Sequence, residues 1–152
     1  MHLNASVTIT APIGQVFSYL DDGQRLRRWI AGLVEVSYEK PGIPRGVGSR
    51  FRQRIKAGGR IRNYEGEVIV YQPPAQIGVR LGNARCSVDV RYRLVERLGA
   101  TQVEQTAVVQ VRGRLARLVS VAGGWLMQRQ QRRMLRRLKA VVEQDRLRDS
   151  RA

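Results

Sequence analysis

Alternation of apolar and polar positions dominates the first two thirds of the chain. Leu3, Ala5, Val7 and Ile9 alternate with Asn4, Ser6, Thr8 and Thr10, the two-residue period of a strand with one buried face. Pro12 follows where a helix can begin, because the first turn has no use for the missing N–H. Val16, Phe17 and Leu20 give that helix its apolar side. Asp21-Asp22 offers carboxylates to cap a second short helix, Gln24 to Ile30, which Gly32 ends. Leu33 to Glu39 alternates again, with Val34, Val36 and Tyr38 on one face.

The segment from Pro41 to Gly48 is crowded with turn formers and reads as a loop. Beyond it, Ser49 to Ala57 and Arg60 to Tyr71 flank Gly58-Gly59, a two-residue hairpin turn that fixes the register. Counting outward sets Arg52 opposite Glu65 and Arg50 opposite Glu67 on one face. The other face then pairs Phe51 with Gly66 and Gln53 with Tyr64. Each face is chemically consistent, which supports the register independently of the turn. Glu65 and Glu67 therefore read as outward ion-pair partners and not as an acid/base pair.

Pro73-Pro74 breaks the chain. Ile77, Val79 and Leu81 then alternate with Gly78 and Arg80, and Cys86, Val88, Val90, Tyr92 and Leu94 alternate with polar residues in the next strand. A turn at Leu98-Gly99-Ala100 leads to Val103, Gln105, Ala107, Val109 and Val111. Seven strands are expected, six of them consecutive, which makes a curved antiparallel sheet.

The last third changes period. At 100° per residue, Met127, Gln131, Met134, Leu135, Leu138, Val141 and Val142 fall on one side of a helix. Arg129, Arg132, Arg133, Arg136, Arg137 and Lys139 fall on the other. The pattern predicts a helix from near Arg114–Ala116 to near Asp145, with Gly123-Gly124 as a weak point. Residues 1–145 then form one domain and 146–152 a basic tail. A sheet curling around this last helix buries its Met/Leu/Val stripe, an α+β architecture.

Composition adds exclusions. A chain of 152 residues with 43% hydrophobic and 26% charged residues is long enough for one real core. The lone histidine, His2, stands near the N-terminus, and Cys86 is the lone cysteine. Histidine catalysis, an internal disulfide and a cysteine-clustered metal site are all disfavoured; no metal or cofactor is expected. The N-terminus lacks a signal-peptide pattern, and the expected location is the cytoplasm. Lys+Arg outnumber Asp+Glu by 28 to 12, a formal charge of +16, which draws the protein toward anionic partners. Aromatics are only 6% and fall mostly on inward faces, so no stacking platform for nucleic acid is visible. The arginine face, Arg129, Arg132, Arg133, Arg136 and Arg137, instead suits an anionic membrane surface or an acidic protein, or serves simply as a solvated face.

The chain resembles the START-like helix-grip superfamily (SRPBCC, birch-pollen-allergen-like), particularly its polyketide cyclase/dehydrase branch. The residues that carry the likeness are Ala11-Pro12-Ile13-Gly14-Gln15-Val16-Phe17, Leu20-Asp21-Asp22 leading to Trp29, and Gly46-Val47-Gly48-Ser49-Arg50-Phe51. Glu65-Gly66-Glu67-Val68, Tyr71-Gln72-Pro73-Pro74 and Leu135-Arg136-Arg137-Leu138-Lys139 complete it. The likeness spans roughly Leu3 to Glu143 and marks fold more than activity. It implies a helix-grip fold and a mostly apolar cavity between sheet and final helix, holding a lipid, quinone or polyketide-like molecule. It also implies two alternatives, a carrier and an enzyme of the cyclase/dehydratase type.

The residues that alternation turns inward supply the candidate cavity wall: Phe51, Gln53, Tyr64, Val79, Val90, Tyr92 and Gln105, with Val68, Val70, Val88 and Val109. The helices add Trp29, Met127, Gln131 and Met134. Most of the aliphatic ones are ordinary core. The polar ones carry more information, because a buried amide or hydroxyl without a partner costs about 1–3 kcal/mol. Gln53, Gln105, Gln131, Tyr64 and Tyr92 either satisfy one another or face a cavity holding water or ligand polar groups. Arg62 falls on the inward face near the hairpin tip, within reach of a cavity mouth or of solvent. No catalytic residue stands out; Tyr64, Tyr92 and Arg62 are the groups an enzyme would use.

Overall fold

The computed structural model describes residues 1–40, 42–82, 86–113 and 122–151. Strand β1 (His2–Ile9) is followed by helices α1 (Ile13–Asp21) and α2 (Gly23–Trp29). Six strands then run in succession: β2 (Leu33–Tyr38), β3 (Arg50–Ala57), β4 (Arg60–Gln72), β5 (Gln76–Gly82), β6 (Cys86–Arg97) and β7 (Ala100–Val111). Helix α3 (Ala122–Arg151) closes the chain. The strands form one antiparallel sheet in the order β1-β7-β6-β5-β4-β3-β2, so the first strand closes beside the last. This is the expected α+β helix-grip architecture. Among the described residues no helix is long and apolar enough to cross a membrane.

The local signals act as chemistry requires. Pro12 stands at the N-cap of α1 in extended conformation, and the Asp22 carboxylate accepts from the Gln24 N–H at 2.9 Å to cap α2. Asp21 does something else. It accepts from Arg45 at 2.8 Å and from the Tyr71 hydroxyl at 3.0 Å, tying the long loop before β3 to the α1–α2 corner. The β3–β4 hairpin holds the expected register, with Ala57 opposite Arg60, Gln53 opposite Tyr64 and Phe51 opposite Gly66. Arg52 and Glu65 lie 3.6 Å apart and exposed.

Two bulges correct the inward assignments. Between Leu33 and Glu35 the register of β2 shifts, so Leu33, not Val34, shares a face with Val36 and Tyr38. Between Val68 and Val70 it shifts again, which leaves Val68 inward, turns Val70 outward and brings Tyr71 inward opposite Ile77. An extra residue in one strand flips every later side chain to the other face, and nothing in the two-residue period announces it.

Helix α3 lies across β1 and against α1 and α2. Leu135, Leu138 and Val142 pack into a buried cluster with Ile9, Val16, Phe17, Trp29, Leu94 and Val103. A second, smaller cluster of Leu3, Ala107 and Val109 gathers Met127, Val88 and Val90 around it. The helix continues to Arg151, past the expected end at Asp145. Around Asp145 it is tied to the rest of the fold: Asp145 bonds to α1 and α2, and Arg146 donates to the Thr10 carbonyl at 2.7 Å. The start expected near Arg114–Ala116 lies outside the described residues.

β1 is an edge strand, and unpaired edge backbone is a liability unless covered. Here α3 covers it. Gln128 donates to the Asn4 carbonyl, Lys139 to the Thr8 carbonyl at 2.7 Å, and Glu143 accepts from the Thr10 N–H at 3.0 Å. Lys139, which the wheel places among the solvent-facing cations, is thus committed to the sheet edge.

Candidate functional site

The inner face of the sheet is the one that carries Leu94 and Val103 into the core beneath α3. Because α3 leans on β1, the central strands are less covered. Val79, Val88 and Val90 point to this face from β5 and β6, yet all three remain half-buried. Tyr64 is half-buried as well, while Phe51 and Gln53 are buried. The Phe51 ring lies over Gly66, where a Cβ would come within 2.3 Å of it, and tilts against Tyr38 with centroids 5.6 Å apart. Trp29 belongs to the packed core: it is fully buried, donates to the Tyr19 carbonyl at 2.9 Å and meets the Tyr92 ring edge to face.

The polar residues of this face behave differently from one another. The Gln105 amide donates to the Tyr92 hydroxyl at 3.0 Å, across the β6–β7 pair where the two stand opposite. Burial pushes the Tyr92 phenol far above its ordinary value, so it stays neutral. The Gln105 Oε1 and both amide atoms of Gln131 are buried with no hydrogen-bond partner among the described residues. Met127 and Met134 flank Gln131 on α3 and are half-buried, one beside each apolar cluster. Arg62 stands opposite Ile55 as the register requires, and its side chain is exposed. No three His, Cys, Asp or Glu side chains among the described residues are placed to hold a metal ion.

Along α3, Arg129, Arg132, Arg133, Arg136 and Arg137 are exposed. Four of them line a groove of about 690 Å³ with Ala31, Leu126, Gln130 and Met134. Trp125 and Leu126 are also exposed, and the Arg129 guanidinium sits 5.6 Å from the centre of the Trp125 ring. Sequence reasoning did not single out these two apolar residues. Their signal was available, since both fall off the apolar stripe of the α3 wheel.

The sequence matches the family described as polyketide cyclase/dehydrase and lipid transport over residues 1–143. No curated protein sequence matches it. Among solved structures, TTHA0849 from Thermus thermophilus is similar at 16% identity and a TM-score of 0.75, covering 93% of this chain and 97% of that one. Ara h 8.0201 is similar at 12% identity and a TM-score of 0.71, with 93% and 97% covered. The di-domain ARO/CYC StfQ from the steffimycin biosynthetic pathway has 8% identity and a TM-score of 0.73; 95% of this chain covers 51% of that one. At such identities the likeness is one of fold. With the match covering all seven strands and most of α3, the chain belongs to the polyketide cyclase/dehydrase and lipid-transport family.

Proposed function

We propose that this protein binds a hydrophobic or amphipathic small molecule, of the lipid, quinone or polyketide-like kind, between the inner face of the sheet and α3. The family and the fold support hydrophobic ligand binding in general. The observation that carries the more specific reading is the half-burial of Val79, Val88 and Val90. Inward-facing valines on central strands normally lie fully buried, and apolar surface left uncovered on a pocket wall is what an apolar ligand would cover. Phe51, Gln53, Tyr64, Tyr92, Gln105, Met127, Gln131 and Met134 would complete the wall, with Trp29 behind it. Native mass spectrometry of protein purified from its own host, followed by extraction, tests the reading. A retained apolar compound is expected, and Val90→Trp, folded by circular dichroism, should lose it. Retention unchanged in Val90→Trp would refute the site. Whether an added compound returns altered or intact separates a cyclase from a carrier.

A second reading concerns the surface, and a separate observation favours it. Trp125 and Leu126 stand exposed beside Arg129 and Arg133, the mixture of aromatic, aliphatic and cationic side chains that settles at a lipid headgroup boundary. Sedimentation with vesicles containing anionic phosphatidylglycerol should weaken with salt. It should weaken also in Trp125→Ala and on charge reversal of Arg132, Arg133 and Arg136. Equal sedimentation with neutral vesicles would rule the reading out.

A further inference from the structure

The two apolar clusters of the core are separated by a polar step. On β7, Gln105 lies between Val103 of the larger cluster and Ala107 of the smaller. On α3, Gln131 lies between Met127, beside the smaller cluster, and Met134 and Leu135 of the larger. Both glutamines are nine-tenths buried, at 6% and 5% exposure. Tyr92 stands opposite Gln105 and joins the same level through the 3.0 Å bond. Across from Gln105 on the β1 side is Ala5, whose single methyl group leaves space there.

These side chains hold more hydrogen-bonding capacity than they use. Among the described residues, neither the carbonyl nor the amide nitrogen of Gln131 has a partner, and the Gln105 carbonyl has none either. Either rotation of the Gln105 amide leaves one of its two atoms without a partner, because Tyr92 can engage only one. Buried amides that have given up water and gained nothing are costly, and native interiors rarely keep them. What would satisfy them must both donate and accept. It must also be uncharged: the buried polar side chains among the described residues are Gln53, Thr101, Gln105 and Gln131, with no ionised group to balance an ion's desolvation. The neutral Tyr92 phenol adds no charge either.

We propose that Gln105, Gln131 and Tyr92 form the polar recognition layer of the ligand site, and that the ligand leads with an uncharged hydroxyl or ketone group rather than a carboxylate or an amine. The inference rests on the binding reading above. The apolar body of the ligand would then lie outward along Val88, Val90 and Met127, the half-buried residues on the side of the smaller cluster. The layer therefore acts as a filter on headgroup charge, while the valine wall tolerates variation in the tail.

The test uses four twelve-carbon probes on the full chain: dodecane, dodecan-1-ol, dodecanoate and dodecylammonium, with binding followed by tryptophan fluorescence. The alcohol is expected to bind at least tenfold tighter than either ion, a margin of one hydrogen-bonded group. Gln131→Leu should cut alcohol affinity about tenfold, change dodecane affinity far less and raise thermal stability, because it removes two unpartnered atoms at nearly constant volume. Tyr92→Phe, which keeps the ring against Trp29, should weaken the alcohol more than the other probes. Should dodecane bind while the alcohol shows no advantage, or should Gln131→Leu and Tyr92→Phe both leave the alcohol unaffected, the layer is refuted and the cavity stands. Equal or tighter binding of dodecanoate refutes it too. If none of the four binds, the cavity falls and the layer with it.

Discussion

Arg28 and Asp145, 117 residues apart, form a two-bond pair that fastens the end of α2 to the far end of α3, with Nη2 to Oδ1 at 3.0 Å and Nη1 on Oδ2. The Tyr19 hydroxyl of α1 donates to the same carboxylate, so one aspartate gathers all three helices. Arg25 leans over the Tyr19 ring at 4.9 Å. This junction explains why the helix holds together beyond the point where its apolar stripe runs out.

Asp145→Asn keeps the shape but removes the charge and one acceptor. We expect a loss of about 1–3 kcal/mol in urea unfolding, with the melting temperature lower by about 2–4 °C per kcal/mol. Asp149→Asn, an exposed position one turn on, serves as the control and should change little. Equal stability of the two variants would show that the junction is incidental.

The same carboxylate makes stability sensitive to acid. The bond from Arg28 holds Asp145 below its ordinary value of 3.8. Burial pushes Glu143 up, but the Thr10 N–H and Lys139 together bring it below its ordinary 4.5. With both depressed, the unfolded chain binds more protons than the folded one as pH falls past those ordinary values. Their contribution is thus complete above about pH 5.5 and is lost as pH drops through the folded-state values. Melting temperature against pH should be flat down to that point and then fall. Asp145→Asn should fall less steeply; an identical acid limb in that variant would remove Asp145 from the account.

Gly66 and Phe51 are fitted to each other across β3 and β4. A Cβ at Gly66 would come within 2.3 Å of the Phe51 ring and 2.9 Å of Leu81, so Gly66→Ala should cost about 1–3 kcal/mol by overpacking. Phe51→Leu shortens the obstacle. The double variant should therefore be more stable than the two single losses added together. Strict additivity in the four-variant cycle would deny the coupling.

The β6–β7 turn holds a correctable strain. Leu98 has φ 52° and is fully exposed, and Gly99 follows at φ 78°, the geometry of a two-residue turn that favours Asn-Gly. A leucine gains nothing there and bears the cost of the left-handed region. Leu98→Asn should raise stability by about 1 kcal/mol, which thermal melts can check. No gain, or a loss, would mean that the leucine has a role the turn does not reveal.

The sequence by itself determined the order of elements, the β3–β4 register and most of the inward face, because these follow from local rules: a two-residue period, Gly-Gly at a hairpin, a carboxylate at a helix start. Phe51, Gln53, Tyr64, Tyr92 and Gln105 were legible as one face for that reason. The direction of Val70 and Tyr71 was not, because a bulge is settled by the partner strand. Nor was the division of labour between Asp21 and Asp22, since one is satisfied two residues away and the other by Arg45 and Tyr71 from distant strands and loops. Only the tertiary structure decided where α3 lies. Its apolar stripe fits any apolar surface, and its place along β1 is marked by polar groups: Gln128 and Lys139 donate to carbonyls of the edge strand, and Glu143 and Arg146 bond to Thr10 just past its end. That lean goes with the half-burial of the central valines, Val79, Val88 and Val90, a relation between helix and sheet that no period along the chain encodes.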